Sequence, residues 1–328
     1  MRDLALNLAL LAILVALAAA GIAFGETTLT HAQVAQAFAD PHSGPGEVLW
    51  AIRAPRTAAA AVVGAALGLA GAVMQGLLRN PLADPGVLGV SAGAGLGAAL
   101  AITLGLGATA GAVEGAALVA ALAVGALLTL LAARFREPET LILFGVALSS
   151  FGGAITSLTF NLSPSPVTLS EVFNWLLGSV ANRDWSDIGR ELVPMAIGAG
   201  LAAYAARGLV MLSLGEETAQ LSGLPMMRLR AAAVAGASLL TGAAVAMAGI
   251  VGFVGLAAPH LVRAGAGADP GRVLLPSALS GAALLMLADL AARVIPTDLE
   301  LKLGVVTALV GAPLFALIAW RAARSWRG

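Results

Sequence analysis

Thr-Ala-Ala-Ala-Ala-Val-Val-Gly-Ala-Ala-Leu-Gly-Leu-Ala-Gly-Ala-Val-Met-Gln-Gly-Leu, residues 57–77, carries no charge. It matches the roughly 20 residues that an α-helix needs to cross a bilayer. Its small side chains say how such a helix packs: lipid gives helices no hydrophobic reason to associate, so they pair where Gly and Ala let backbones approach. The stretches Gly64 to Gly71 and Gly89 to Gly95 share this character. Outward from there, apolar segments recur at 4–24, 88–106, 111–132, 141–160, 192–213, 231–250, 251–264, 273–292 and 303–320, the seventh and eighth of the ten meeting around Gly249–Gly252. The expected fold class is all-α: a polytopic membrane protein of about ten transmembrane helices, forming a single transmembrane domain over 1–328. The first segment has a second reading as a signal peptide ending at Ala18-Ala19-Ala20, although its uncharged run is long for one.

Composition excludes several classes of function. The chain is 59% hydrophobic and 11% charged, where a soluble domain averages about 25% charged. A bilayer explains the deficit, because a charge at its centre costs about 3 kcal/mol or more. With no cysteine there are no disulfides, thiolate metal sites or Cys nucleophiles. Three scattered histidines, His31, His42 and His260, predict no metal centre. No basic stripe predicts nucleic acid as a partner. No paired carboxylates sit at helical spacing inside a span, and no Ser, His and Asp fall into a catalytic pattern. The one lysine, Lys302, precedes Leu303, so no Gly-Lys-Ser/Thr phosphate loop can be written. If transport is driven by ATP, then ATP and Mg belong to a separate subunit and this chain binds no cofactor. Only Asp289 and Arg293, four apart, form an intramembrane ion-pair candidate. Ion-coupled carriers use acids or histidines along their path, so the scarcity here counts against that rival.

Orientation follows from the cations. Ten crossings with the N-terminus inside put both termini in the cytoplasm. Twelve of the 18 Lys and Arg residues then lie inside: Arg2, Arg79, Arg134, Arg136, Arg207, Arg228, Arg230, Arg263, Arg272, Arg321, Arg324 and Arg327. Outside lie Arg53, Arg56, Arg183, Arg190, Arg293 and Lys302.

Three non-spanning stretches stand out. Residues 25–56 predict a short amphipathic helix from His31 to Phe38 with Thr30 as its cap, then a Pro/Gly break. Residues 161–190, with Ser163-Pro164-Ser165-Pro166, Trp175 and Trp185, predict an outer interfacial segment. Residues 214–230 predict a cytoplasmic short helix, a turn at glycine and a second short helix. Between spans, Asn80-Pro81-Leu82-Ala83-Asp84-Pro85-Gly86 breaks helix where backbone must find partners. It reads either as part of a solute path or as a plain turn capped by Asn80 or Asp84. Arg53-Ala54-Pro55-Arg56, with no neighbouring acid, reads as an exposed positive patch for partner carboxylates or lipid headgroups.

Arg-Ala-Pro-Arg (53–56), Gly-Ala-Val-Met-Gln-Gly (71–76), Arg-Asn-Pro-Leu-Ala-Asp-Pro-Gly-Val-Leu-Gly-Val-Ser-Ala-Gly-Ala (79–94), Gly-Phe-Val-Gly-Leu-Ala-Ala-Pro-His-Leu-Val-Arg (252–263) and Gly-Val-Val-Thr-Ala-Leu-Val-Gly-Ala-Pro-Leu-Phe (304–315) together resemble the FecCD-type permeases. These are the membrane subunits of type II ABC importers for ferric siderophores, haem and vitamin B12, and the likeness runs from about residue 45 to the C-terminus. The resemblance implies ten helices in the inner membrane, a second permease copy, two ATPase subunits inside and a substrate-binding protein outside. It implies docking of that protein at Arg53, Arg56 and Arg293, and a cytoplasmic gate at Asn80 and Leu82. A second gate element departs from the family pattern, with Pro138 and Glu139 in place of small hydroxyl residues and Thr140 next. ATPase coupling falls on 214–230, at Glu216, Glu217, Leu221, Gly223, Leu224 and Pro225. Ser149, Ser150, Thr156 and Ser157 are candidates to line the path. The expected cargo is a ferric siderophore, with haem or a corrinoid as alternatives. Reversing Arg53 and Arg56 to Glu is expected to abolish uptake and leave assembly intact.

Overall fold

The computed structural model describes residues 2–325 apart from Glu26, Val87, Arg136, Glu137, Pro164, Ala268 and 296–300. Arg136 and Arg327 of the cation distribution lie outside the described residues. Among the described residues every regular element is helical.

After α1 (Arg2–Ala23) comes α2 (His31–Ala39), set by a capping box. Thr30 Oγ1 accepts the N–H of Gln33 at 3.3 Å, and the Gln33 side chain accepts the N–H of Thr30 at 2.9 Å. Helix α3 (Gly44–Glu47) passes through a π-helical turn, Val48–Arg53, into α4 (Ala54–Leu78). The expected Pro/Gly break therefore ends earlier than the sequence implied, and Gly44–Leu78 is one 35-residue helical run. Pro45 lies in a first turn, where its missing N–H costs nothing. The wide turn ahead of Pro55 absorbs the second proline.

The chain continues through α5 (Val90–Thr103), α6 (Ala112–Arg134), α7 (Pro138–Asn161), α8 (Pro166–Leu176), α9 (Trp185–Ser213), α10 (Glu216–Leu221), α11 (Met226–Ala248), α12 (Val254–Ala266), α13 (Pro270–Val294) and α14 (Leu303–Ser325). Each of the ten apolar segments thus contains one helix. Seven helices among the described residues are long and apolar enough to cross a membrane, and Val90–Thr103 and Leu303–Pro313 are shorter apolar ones. Helix α12, with 13 residues, is about 20 Å long, shorter than a hydrocarbon core of about 30 Å. Most of its residues are buried against protein, which is where such a helix is tolerated.

Helix α4 is the hub, packed against α13, α11, α12 and α9. Its glycines make this possible. A Cβ on Gly64 would run into the carbonyl oxygen of Gly281 in α13, and one on Gly71 into that of Gly255 in α12. The backbones meet directly, as small-residue helix pairing in membranes demands.

At the α10 end, one expectation is corrected. Segment 214–230 holds one short helix, α10, and not two: after the turn at Gly223, the chain enters α11 at Met226 and stays helical to Ala248. The predicted second short helix is the first turn of a long one, because nothing after Pro225 breaks it.

Candidate translocation path and flanking clusters

A cavity of about 650 Å³ opens between α4, α5, α7, α11, α12 and α14. The 79–89 connector and the Ile250–Phe253 link close one side of it, and its walls are mostly apolar, including Leu67, Val146, Leu256 and Phe315. Ile250 also borders two neighbours: a recess of about 330 Å³ near Thr156, Phe160 and Phe173, and a groove of about 670 Å³ along α14. The three spaces adjoin. Of the four hydroxyl residues expected to line a path, Ser149 and Ser150 border the main cavity and Thr156 the recess. Ser157 lines neither; its Oγ donates to the carbonyl of Gly153 at 2.9 Å.

The 79–89 connector is shaped by its own side chains. Arg79 closes α4 in a left-handed conformation, φ 48°, and Asn80 accepts the N–H of Leu82 at 2.9 Å. Leu82 borders the main cavity, whereas Asn80 borders a separate recess of about 250 Å³ shared with Gln75, Arg79 and Arg263. There Arg263 donates to Gln75 Oε1 at 2.7 Å. Thr140, in the first turn of α7, lines neither space. The three gate candidates are therefore not gathered in one place.

Sequence reasoning named one further residue of the main cavity, Asp84, only within the 80–86 stretch read as a solute path or a capped turn, and gave no role to two others, Thr241 and Phe253. Asp84 borders that cavity, with Oδ1 accepting the N–H of Gly86 at 2.7 Å. Burial pushes its carboxyl above the usual range, against the Gly86 N–H, which pulls it down. An acid between two prolines, in a connector between apolar spans, was the available signal. Thr241 of α11 also borders the cavity; it is 1% exposed, and its hydroxyl has no hydrogen-bond partner among the described residues. Phe253, at φ 67°, holds a conformation that costs a bulky residue about 1–3 kcal/mol. A Cβ on Gly311 of α14 would collide with it, so α14 is grooved to receive this ring. Sequence gave no signal for either.

At the opposite end of α4 lies a buried charge cluster. Arg56 Nε donates to Asp289 Oδ1 at 2.8 Å, and Arg293 Nε donates to Oδ2 at 2.8 Å. Arg293 also donates to the carbonyl of Gly21 at 2.8 Å and to Thr57 Oγ1 at 3.1 Å. Arg53 donates to the carbonyls of Ile22 and Ala23, at 3.0 and 2.8 Å, and to that of Thr27. These arginines are 4%, 7% and 6% exposed for Arg53, Arg56 and Arg293, and Asp289 is 0% exposed. The expected exposed patch without an acid is thus corrected. The acid arrives from 233 positions downstream, and the cluster clamps the end of α1 onto α4 and α13.

At the α10 end, Gly223 adopts φ 77°; its N–H reaches the carbonyl of Gln220 at 2.9 Å, and that of Leu224 reaches Ala219 at 3.2 Å. This pair of bonds is the glycine-terminated helix stop. Ala219 is buried beneath, while Leu221 is 84% exposed and Glu217, Gly223 and Pro225 are exposed beside it. Glu216 is tied to Arg230 at 2.6 Å, which anchors α10 to α11.

Comparison with known proteins fits this geometry. The sequence profile of the FecCD transport family matches residues 10–321. The chain is 43% identical over 288 residues to the uncharacterized ABC transporter permease protein YvrB of Bacillus subtilis, covering 85% of this chain and 80% of that one. It is 40% identical over 280 residues to the vitamin B12 import system permease protein BtuC of Shigella flexneri, covering 84% of each. A solved inward-facing ABC transporter of the metal-chelate type superposes with a TM-score of 0.86 at 32% identity, covering 96% of this chain and 98% of that one. A helical bundle with an apolar central cavity, matched along nearly its whole length, identifies a multi-pass permease of a type II ABC importer: the chain belongs to the FecCD transport family.

Proposed function

We propose that this permease carries an iron chelate of the ferric siderophore kind by alternating access, driven by ATP that a partner hydrolyses. The observation that carries the reading is the cavity of about 650 Å³, apolar enough to pass a chelate without trapping it. In this reading α10 faces the cytoplasm, both termini lie there, and the bilayer is the inner membrane. Two ATPase subunits, holding ATP and Mg, seat on Glu216, Glu217, Leu221, Gly223, Leu224 and Pro225; the chain itself binds no cofactor. A second permease copy packs on the exposed apolar faces of α7 and α14, where Leu143, Leu158, Leu309 and Val310 lie. Asn80, Leu82 and Thr140 contribute to the inner gate.

The substrate-binding protein docks at the far end, over Arg53, Arg56 and Arg293. Burial changes how this works: two guanidiniums on one carboxylate, with a third held on backbone carbonyls, leave an excess positive field that attracts acids on the partner. Direct contact follows when the end of α1 shifts. Reversing Arg53 and Arg56 to Glu is now expected to break assembly, because it sets an acid beside Asp289 and removes the donor that holds the carbonyls of Ile22 and Ala23. A corrinoid is the second reading, favoured by the 40% identity to a vitamin B12 permease. Purifying the cognate binding protein from cells and identifying what it retains decides the cargo. A bound ferric chelate is expected; a corrinoid moves the assignment to the second reading, and a cargo that is not a metal chelate overturns both.

A further inference from the structure

The recess of about 250 Å³ beside the main cavity lies where α4, α9 and α12 end and α13 begins, at the end of the bundle that carries α10. Its polar side chains offer donors and have few acceptors to spare. Arg79, exposed at the end of α4, makes no side-chain hydrogen bond or ion pair among the described residues. Arg263, half-buried on α12, donates to Gln75 Oε1 at 2.7 Å and meets no carboxylate among the described residues. Gln75 is 2% exposed, and its amide donates in turn to the carbonyl of Leu256 at 3.4 Å, so a buried side chain fixes where the Arg263 guanidinium sits. Asn80 spends its oxygen on the N–H of Leu82 at 2.9 Å, which leaves its amide nitrogen to donate. The Ser213 hydroxyl is turned to the carbonyl of Val210 at 2.6 Å. No acid borders the recess. The two acids nearest to it in the fold are engaged elsewhere. Asp269 caps α13 at the N–H of Gly271, at 2.9 Å, and pairs with Arg272 at 3.4 Å. Glu216 shares a narrow gap with Arg79 but is bound to Arg230 at 2.6 Å.

We infer that Arg79, Arg263 and Asn80 form an anion site that takes a phosphate group, supplied by the headgroup of an anionic lipid or by soluble phosphate. Both guanidiniums are permanently charged, and their forked N–H groups match phosphate oxygens. A cation drawn partly out of water without a counter-charge is costly, and a bound anion offsets that cost. The space equals about eight water molecules at about 30 Å³ each, which a phosphate and its ester carbons fill. The ends of spanning helices lie level with lipid phosphates, and basic pockets between such helices hold acidic headgroups. A phosphate here ties α4 to α12 just where the 79–89 connector begins. Arg79, Asn80 and Arg263 fall within the stretches 79–94 and 252–263 that mark the family, so the site goes beyond the importer reading and does not choose among cargoes.

The test uses the complete transporter, permease with its ATPase subunits, in a neutral detergent. It is titrated with short-chain phosphatidylglycerol, with short-chain phosphatidylcholine, whose phosphate is balanced by choline, and with inorganic phosphate, while the unfolding midpoint of the permease is followed. Ligand bound to the folded state raises that midpoint. Phosphatidylglycerol is expected to raise it saturably, and phosphatidylcholine to bind about tenfold more weakly for want of a net charge. A rise with inorganic phosphate as well assigns the site to soluble phosphate; a rise with the lipid alone assigns it to a headgroup. Arg79→Gln removes a guanidinium that no other group in the fold uses. It is expected to leave the ligand-free midpoint unchanged and to weaken phosphatidylglycerol about tenfold, the loss of a charge-assisted bond. Arg79→Lys, which keeps the charge, is expected to retain most of the affinity. Arg272→Gln, an exposed cation at the same end but outside the recess, is expected to change nothing. No rise with either anion, the result if an acid of the ATPase subunits fills the recess instead, overturns the site. So do equal affinities for the two lipids, insensitivity to Arg79→Gln, or an equal loss in Arg272→Gln.

Discussion

Asp289 shows what one buried carboxylate can carry. It is fully buried and pairs with Arg56 of α4 and with Arg293 one turn along its own helix. Removing one partner from such a cluster leaves buried charges uncompensated, which costs about 3–5 kcal/mol. Asp289→Ala is therefore expected to destabilise the detergent-solubilised permease by about that amount and to loosen α1, whose last carbonyls are held by Arg53 and Arg293. Denaturant or thermal unfolding, with protease accessibility of residues 20–30, checks it. Wild-type stability in that variant would mean the cluster is not the clamp the geometry describes. At this scale the sequence was only partly legible. The Asp289–Arg293 pair was visible because it is local, at one-turn spacing. The Arg56–Asp289 pair was not, because a contact across 233 positions leaves no periodicity to read, and the arginines therefore looked exposed.

Among the elements, close backbone approach does the work that hydrophobic burial does in water. Gly71 of α4 lies against Gly255 at the start of α12, and Gly64 against Gly281 of α13. Gly71→Ala forces a methyl group into a peptide carbonyl that cannot rotate away, so the helices must part. Overpacking of this kind costs about 1–3 kcal/mol, and the loss should appear as reduced folded yield and a lower unfolding midpoint. A substitution at Gly105, where an added Cβ meets nothing within 4 Å but φ is 78°, tests backbone strain alone and serves as the comparison. The Gly-rich character of α4 was readable as close packing, though which helix each glycine meets was not. Likewise α2 and its Thr30 cap follow from local chemistry that sequence displays openly. The joined helix Gly44–Leu78 and the long α11 were missed for one reason: proline and glycine mark breaks only where the chain lacks a first turn or a wide turn to absorb them. Asp84 was legible only as part of the 80–86 break, and Thr241 was missed because its neighbours in the cavity come from other elements.

The molecule as a whole is a bundle with three distinct regions along it: a buried arginine clamp at one end, an apolar cavity within, and an exposed Leu221 beside a glycine-stopped helix at the other. Its sequence holds no Gly-Lys-Ser/Thr phosphate loop, since the only lysine is followed by leucine. Membership of the FecCD transport family implies that substrate-binding and ATPase partners complete the transporter. The central claim is that this chain provides the route and a partner provides the drive. Its most direct test is uptake of a radiolabelled chelate into proteoliposomes containing the binding protein, prepared with this permease alone and with permease plus its ATPase subunits, each with and without ATP inside or outside as orientation requires. Accumulation above equilibrium only when the ATPase subunits and ATP are both present is the predicted result. Accumulation by the permease alone would contradict the account.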